Sequence, residues 1–279
     1  MMLIATWDGF QHRRHVRRTV LGTDGAVART HVDLLNGADG HLLAPPRSIR
    51  VGPLTHRVEP DRMQRFGELV RRNLNVVAAA GLILLTLPLM AVVALLVRLS
   101  SPGPVLFTQP RVGVDRRRDK PGAPVDPRRR EDHGGRIFLI YKFRTMRTDS
   151  GAGDQQVWAS PDDPRITPVG RVLRRYRLDE LPQLFNVLKG DMNLVGPRPE
   201  QPEIFKSLRE QIQEYQRRQR VLPGITGLAQ VHQRYDQSVD DVRRKVTLDL
   251  AYLERVSPME DLRIMARTVP VVLSGRGAI

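Results

Sequence analysis

The chain has 279 residues, with 45 Lys+Arg against 30 Asp+Glu for a net charge of +15, and no cysteine. Its length suits one large domain with appendages, and the missing thiols exclude disulfides, thiolate zinc sites and cysteine nucleophiles. The charge calls for an acidic partner: nucleic acid, an anionic membrane surface or a phosphorylated substrate. Aromatic residues are only 5% of the chain, which leaves little for stacking on bases.

Residues 1–67 form an N-terminal extension to which no activity is assigned. Arg13, Arg14, Arg17 and Arg18 cluster there without the apolar run of a secretory leader. Residues 26–35 alternate like a strand, and Pro45, Pro46 and Pro53 predict irregular chain.

Residues 68–101 hold the membrane segment. From 74 to 97 there is no charged side chain, a stretch that reaches about 36 Å as a helix. Pro88 in its middle removes a backbone hydrogen bond, and Thr86 is placed to offer a hydroxyl at the break. Basic residues flank both ends, Arg62, Arg65, Arg71 and Arg72 before and Arg98 and Arg111 after. Because cationic flanks stay on the cytoplasmic side, a re-entrant hairpin satisfies both; a plain span and a buried core helix are the alternatives.

Residues 102–279 read as a compact cytoplasmic catalytic domain, α/β but mostly helical. Residues 100–113 predict a turn leading into a strand near 105–108, and 115–135 a flexible, solvated basic loop. The run RIFLIYKFRTM (136–146) predicts a strand that delivers Lys142 and Arg144 to its end. Helices are expected at 167–177, 181–188, 238–255 and 259–273. A single amphipathic helix is expected over 201–219 on the spacing of Ile204, Leu208, Ile212 and Tyr215. The last helix is cationic and amphipathic, suited to a membrane interface or to packing on the core.

The centre of the chain is the pair Asp179 and Glu180, preceded by Arg165, Arg174, Arg175 and Arg177 and followed by Pro182 and Arg198. An acid before a first-turn proline is a natural helix cap, so capping alone is one reading of the pair. The other is catalytic: an ionised aspartate can attack phosphorus without a separate base. Its repulsion from a diphosphate would be screened by arginines and Mg²⁺. On the residues alone both stand.

The segments YKFRTM (141–146), DPRIT (163–167), LDELPQLFNVLKGDMNLVGPRP (178–199) and PGITGLAQV (223–231) resemble the bacterial sugar transferase family, the monotopic polyprenol-phosphate phosphoglycosyl transferases. The resemblance covers roughly residues 68–275, with the motifs in the family's order. It implies a re-entrant anchor, interfacial amphipathic helices and an active site on the cytoplasmic face of the bacterial inner membrane. It also implies transfer of a sugar-1-phosphate from a UDP-sugar to polyprenol (undecaprenyl) phosphate through an aspartyl phosphosugar, with release of UMP. By that resemblance Asp179 is the nucleophile and Glu180, with Asp179, holds Mg²⁺. Arg174, Lys142, Arg144 and Arg198 contact phosphate, while Pro197, Gly224, Thr226, Gln230 and Arg234 form the loop at the nucleotide.

The implied partners are the donor, the lipid acceptor and bacterial membrane lipids, then downstream glycosyltransferases and a second copy of the chain; nucleic acid is not among them. Two departures stand out. Leu87-Pro88, with Thr86 before it, replaces a Ser-Pro pair common at the helix break. Leu222 occupies the place of a basic residue before PGIT, for which Arg220 is the nearest substitute. From charge alone, a membrane-tethered nucleic-acid-binding protein or a non-catalytic scaffold is the alternative.

Overall fold

A computed structural model describes residues 62–115, 132–148, 163–233 and 238–275. The expectations for residues 1–61, for most of the basic loop and for Arg234 lie outside the described residues. The rest is mostly helical, with two small sheets, each of two strands.

Helix α1 (Arg62–Ser100) is long and apolar enough to cross a membrane by length and composition. It lies against the domain over most of its length. Arg71, Asn75, Ala79, Ile83, Met90, Val93 and Val97 are buried, a helical spacing that makes one continuous docking face. The remaining faces leave Val77, Leu84, Leu85, Leu89, Val92, Leu95 and Leu99 exposed.

Helix α1 is one continuous run of helical residues that contains Pro88. The Thr86 hydroxyl donates to the Leu82 carbonyl at 2.7 Å, within its own preceding turn, and not to the Leu84 carbonyl that the proline leaves without its usual donor. Nor is α1 a fully buried core helix, because only one face is covered.

Strands β1 (Leu106–Val112) and β2 (Ile137–Phe143) pair antiparallel, with Leu106 opposite Phe143 and Val112 opposite Ile137. Helices α2 (Pro168–Arg175) and α3 (Gln183–Lys189) follow, then strand β3 (Asn193–Val195). Helix α4 (Pro202–Gln211) precedes strand β4 (Gly224–Thr226), which pairs parallel to β3. Helices α5 (Leu228–His232), α6 (Val239–Glu254) and α7 (Pro258–Leu273) complete the domain.

The helix expected over 201–219 is broken. It stops at Ile212, and residues Tyr215–Arg220 form a separate 3-10 turn. The Phe205 and Tyr215 rings pack with centroids 5.2 Å apart. Ten residues of unbroken helix would separate them by about 15 Å, so the chain has to fold back for both to enter the core.

Three apolar clusters result. Ala79 and Ile83 of α1 meet Phe138 and Ile140 of β2, Leu184 and Val187 of α3, and Ile264 of α7. Met90, Val93 and Val97 meet Phe143 and Leu173. Phe205, Leu208, Ile212 and Tyr215 pack against Val242, Val246 and Leu250 of α6. The membrane-length helix is thus part of two of the three cores.

Polar hooks fix its N-terminal third. Arg71 pairs with Asp261 at 2.7 Å and donates to the Tyr252 hydroxyl and the Val195 carbonyl. Asn75 accepts from the Leu194 amide at 2.7 Å. Removing one partner of a buried ion pair costs more than removing both. Asp261→Ala is therefore expected to lower stability by about 3 kcal/mol, and a double replacement of Arg71 by Met and Asp261 by Leu to recover most of that. Thermal unfolding in detergent checks this, and an unchanged midpoint in Asp261→Ala counts against the hook.

Candidate active site

The dyad sits in a tight turn between α2 and α3. Thr167 caps α2, accepting from the Gly170 amide at 2.9 Å, and Pro168 opens the helix. At its far end Arg177 takes a left-handed conformation, φ 54°, which costs a non-glycine residue roughly 1 kcal/mol. The reversal throws the chain into a 3-10 turn, Leu178–Glu180, that carries both carboxylates. The cap position of α3 is Pro182, which makes no side-chain cap bond. Neither acid caps that helix, which removes the capping alternative.

Asp179 and Glu180 are each only 7% exposed. Three cations converge on Glu180: Lys142 of β2 at 2.9 Å, Arg198 at 2.8 Å and Arg177 at 3.9 Å. Asp179 has Lys142 at 3.8 Å. This asymmetry separates the two acids. Burial alone would disfavour the ionised form of Glu180, but Arg198, Lys142 and Arg177 outweigh it and hold the carboxyl well below its usual range. For Asp179 burial wins and raises the carboxyl, with Glu180 adding to the rise and Lys142, Arg174 and Arg198 opposing it.

A buried side chain helps hold the strand bearing Lys142 against the helix after the dyad. Asn186 of α3, fully buried, accepts from the Tyr141 amide at 3.0 Å and donates to the Leu139 carbonyl at 2.7 Å. Arg174 donates to the Thr145 hydroxyl at 2.9 Å, and its charge reaches both Asp179 and Asp163. Asp163 of the DPRIT segment pairs with Arg165 at 2.6 Å; hydrogen bonds from the Arg165 side chain and amide hold its carboxyl at about 2.

Of the residues expected at the site, Lys142 and Arg198 meet the dyad directly and Arg174 by its field. Arg144 goes elsewhere: it is buried and donates to the carbonyls of Val97, Ser101 and Pro102, closing the C-terminal end of α1. Pro197, Gly224 and Thr226 belong to the β3–β4 junction. The Pro197 carbonyl accepts from the Gly224 amide at 3.0 Å and the Thr226 carbonyl from the Gly196 amide at 2.9 Å. The backbones approach so closely that a Cβ on Gly224 would meet the Gly196 nitrogen.

The Thr226 hydroxyl pairs with Thr268 of α7 at 2.7 Å, and Gln230 donates to the Ile225 carbonyl at 2.9 Å. Pro88 and Thr86 lie on α1, with no bond to the dyad. Leu222 and Arg220 stand at the end of the 3-10 turn, both half-buried. Arg177 was not among the expected site residues, although it stands two positions before Asp179, because nothing in its type announces a left-handed backbone.

Among the described residues no group of three or more acidic or histidine side chains is gathered. The dyad offers two adjacent carboxylates. That set fits Mg²⁺, which commonly binds through one or two carboxylates with water and substrate phosphates completing its shell.

The family model described as bacterial sugar transferase matches residues 66–275, and the chain belongs to that family. It is 40% identical over 235 residues to the UDP-N-acetylgalactosamine-undecaprenyl-phosphate N-acetylgalactosaminephosphotransferase of Aeromonas hydrophila, covering 81% of this chain and 51% of that one. Against the undecaprenyl-phosphate glucose phosphotransferase of Komagataeibacter xylinus it is 39% identical, over 82% of this chain and 41% of the relative. Against the UDP-glucose:undecaprenyl-phosphate glucose-1-phosphate transferase of Caulobacter vibrioides it is 41% identical, over 74% and 71%. The chain thus spans about half the length of the first two relatives. Membrane association follows from the family and from α1.

Proposed function

We propose that this chain transfers a sugar-1-phosphate from a UDP-sugar to polyprenol phosphate, with Asp179 as the nucleophile. The observation that carries the reading is the division of the dyad: Glu180 gathers the cations while Asp179 is buried with its carboxyl raised. A poorly solvated carboxylate of raised basicity is a better nucleophile than an exposed one. The names of the relatives support the substrate class. They differ in the sugar, N-acetylgalactosamine in one and glucose in two, so the donor is proposed here only as a UDP-sugar.

In the first step an Asp179 oxygen bonds the sugar-bearing phosphorus. The bond from that phosphorus to the bridging oxygen breaks, and UMP leaves with the electron pair. In the second step an oxygen of polyprenol phosphate attacks the same phosphorus, the bond to Asp179 breaks, and polyprenol diphosphosugar is released. Arg198 and Lys142 neutralise diphosphate charge as the donor enters, and Arg174 adds its field from the α2 side. Glu180, with Asp179, would hold Mg²⁺, which supplies further charge neutralisation to the phosphates.

We infer further that α1 enters one leaflet without crossing it. Its docking face, from Arg71 to Val97, rests on a single folded unit, and a straight crossing would carry that unit's polar groups into hydrocarbon, at several kcal/mol for each one unsatisfied. Helix α7 supports an interfacial position. Met259, Leu262, Val269 and Leu273 are exposed at spacings of one helical face, with Arg263 and Arg267 beside them. Cytoplasmic orientation follows the basic flanks of α1.

Three outcomes are expected. Purified protein should release UMP from a UDP-sugar in the presence of Mg²⁺ and polyprenol phosphate, and Asp179→Asn should reduce this at least about 10³-fold; full turnover in that variant would exclude the aspartyl intermediate. Activity needs ionised Asp179, so the acid limb of kcat/KM should lie above the range of an ordinary aspartate. Lys142 favours the ionised form, and Lys142→Met should therefore move the limb higher still; a downward move would contradict the assignment. Because the chain has no cysteine, labels at Gln64→Cys and Val114→Cys report topology cleanly. An impermeant maleimide should reach both from the same side of a sealed vesicle, and reaction from opposite sides would establish a crossing.

A further inference from the structure

Strands β1 and β2 share a face that begins in the core and ends at the dyad. Residues directly opposite in an antiparallel pair lie on the same side, with Cβ atoms about 5 Å apart, so the pairs Arg111–Phe138, Gln109–Ile140 and Phe107–Lys142 succeed one another along it. Phe138 and Ile140 are buried, and Arg111 donates to the Pro199 carbonyl at 3.1 Å, which closes that end against the segment carrying Arg198. At the other end Lys142 reaches Glu180 at 2.9 Å and Asp179 at 3.8 Å. The Phe107 side chain beside it is 46% exposed and belongs to none of the three apolar clusters.

This open end of the hairpin is also the end nearest the last turns of α1. Phe143, next after Lys142, packs with Met90, Val93 and Val97, and Arg144 donates to the carbonyls of Val97, Ser101 and Pro102. The same turns of α1 leave Leu95, Leu96 and Leu99 exposed. An uncovered aromatic side chain therefore stands between the apolar surface of the membrane helix and a cation of the dyad.

The chemistry of the two substrates decides which of them this arrangement fits. In a UDP-sugar every part that adjoins the diphosphate is a polar ring, whose hydroxyl and amide groups cost affinity if they are buried without partners. Beside Phe107 on its own face, the Gln109 carboxamide oxygen already accepts from Arg111 at 2.8 Å. Polyprenol phosphate joins an apolar chain directly to a phosphate. Its first isoprene units need no hydrogen bonds and gain by covering the ring, with the phosphate then lying beside Lys142.

We propose that Phe107 is a binding residue for the lipid acceptor, contacting the isoprene units next to the phosphate and so delivering that phosphate to Lys142 and the dyad. The proposal rests on the transferase reading and adds to it the place where the acceptor's chain enters the site. The donor's UMP portion is accordingly bound elsewhere.

The test uses the full chain in detergent with undecaprenyl phosphate and a UDP-sugar, varying each in turn. Phe107→Ala should raise KM for the lipid roughly 10-fold. A contact with the unreactive chain is equal in ground and transition states, so kcat at saturating lipid should change little, and KM for the UDP-sugar should stay within about twofold. Phe107→Leu keeps an apolar side chain and should recover most of the lipid KM; it also serves if the alanine variant fails to fold. A polyprenyl phosphate carrying a photoreactive diazirine on its first isoprene unit should label the peptide containing Phe107 in wild-type protein, a readout that needs no turnover.

An unchanged lipid KM in folded Phe107→Ala overturns the proposal, as does a rise in KM for the UDP-sugar in place of the lipid, which would assign the ring to the donor. Weaker association with anionic phospholipid vesicles at an unchanged lipid KM would make Phe107 a membrane contact only, and overturns it too. Wild-type protein that is labelled at Phe107 but releases no UMP would overturn the transferase reading and leave the lipid site standing.

Discussion

Two adjacent carboxyl groups, both almost fully buried, are the constraint to which the rest of the domain answers. Neighbouring acids withdrawn from water repel one another, and each is penalised for ionising. The fold resolves this unequally, by bringing Lys142 from a strand, Arg177 from a strained turn and Arg198 from the segment after β3 onto Glu180. Asp179 is left with a more distant cation. The three cations come from three separate parts of the chain, so their arrangement around Glu180 exists only when β2, the α2–α3 turn and the β3–β4 junction are all assembled.

Helix α1 takes part in that assembly. It supplies Ala79 and Ile83 to the cluster beneath β2 and α3, and Met90, Val93 and Val97 to the one beneath Phe143. Through Arg71 and Asn75 it also bonds the backbone of Val195 and Leu194, immediately before the segment that carries Arg198. Arg144 closes the other end of the helix. A side chain that sequence comparison alone assigns to phosphate is thereby engaged in joining the membrane helix to the strand that carries Lys142.

Much of the domain was legible because its signals are local. The apolar run of α1, the positions of α2, α3, α6 and α7, and the grouping of arginines around Asp179 and Glu180 are all read from neighbouring residues. The parts that were not legible depend on contacts between distant ones. A straight helix over 201–219 satisfies the apolar spacing, and only the packing of Tyr215 on Phe205 requires it to break. Strands β3 and β4, Asn193–Val195 and Gly224–Thr226, are too short for any alternation to register. Lys142 and Arg144, two residues apart, would share one face of a continuing strand, but β2 ends at Phe143, and one meets the dyad while the other meets α1. Pro88 reads as a break in any sequence. In the structure helix is found on both sides of it, with Ile83 before and Met90 after both buried against the domain.

Asn186 has a consequence of a different kind. Among the described residues sheet β1–β2 has two strands, so the outer side of β2 would present free amide and carbonyl groups to any extended chain nearby. The carboxamide of Asn186 meets the Tyr141 amide and the Leu139 carbonyl with the donor and acceptor that a third strand would provide. One side chain thus terminates the sheet as a backbone would. On a membrane surface, where proteins are concentrated in two dimensions, it denies neighbouring polypeptides the exposed edge along which cross-chain strand pairing and aggregation begin.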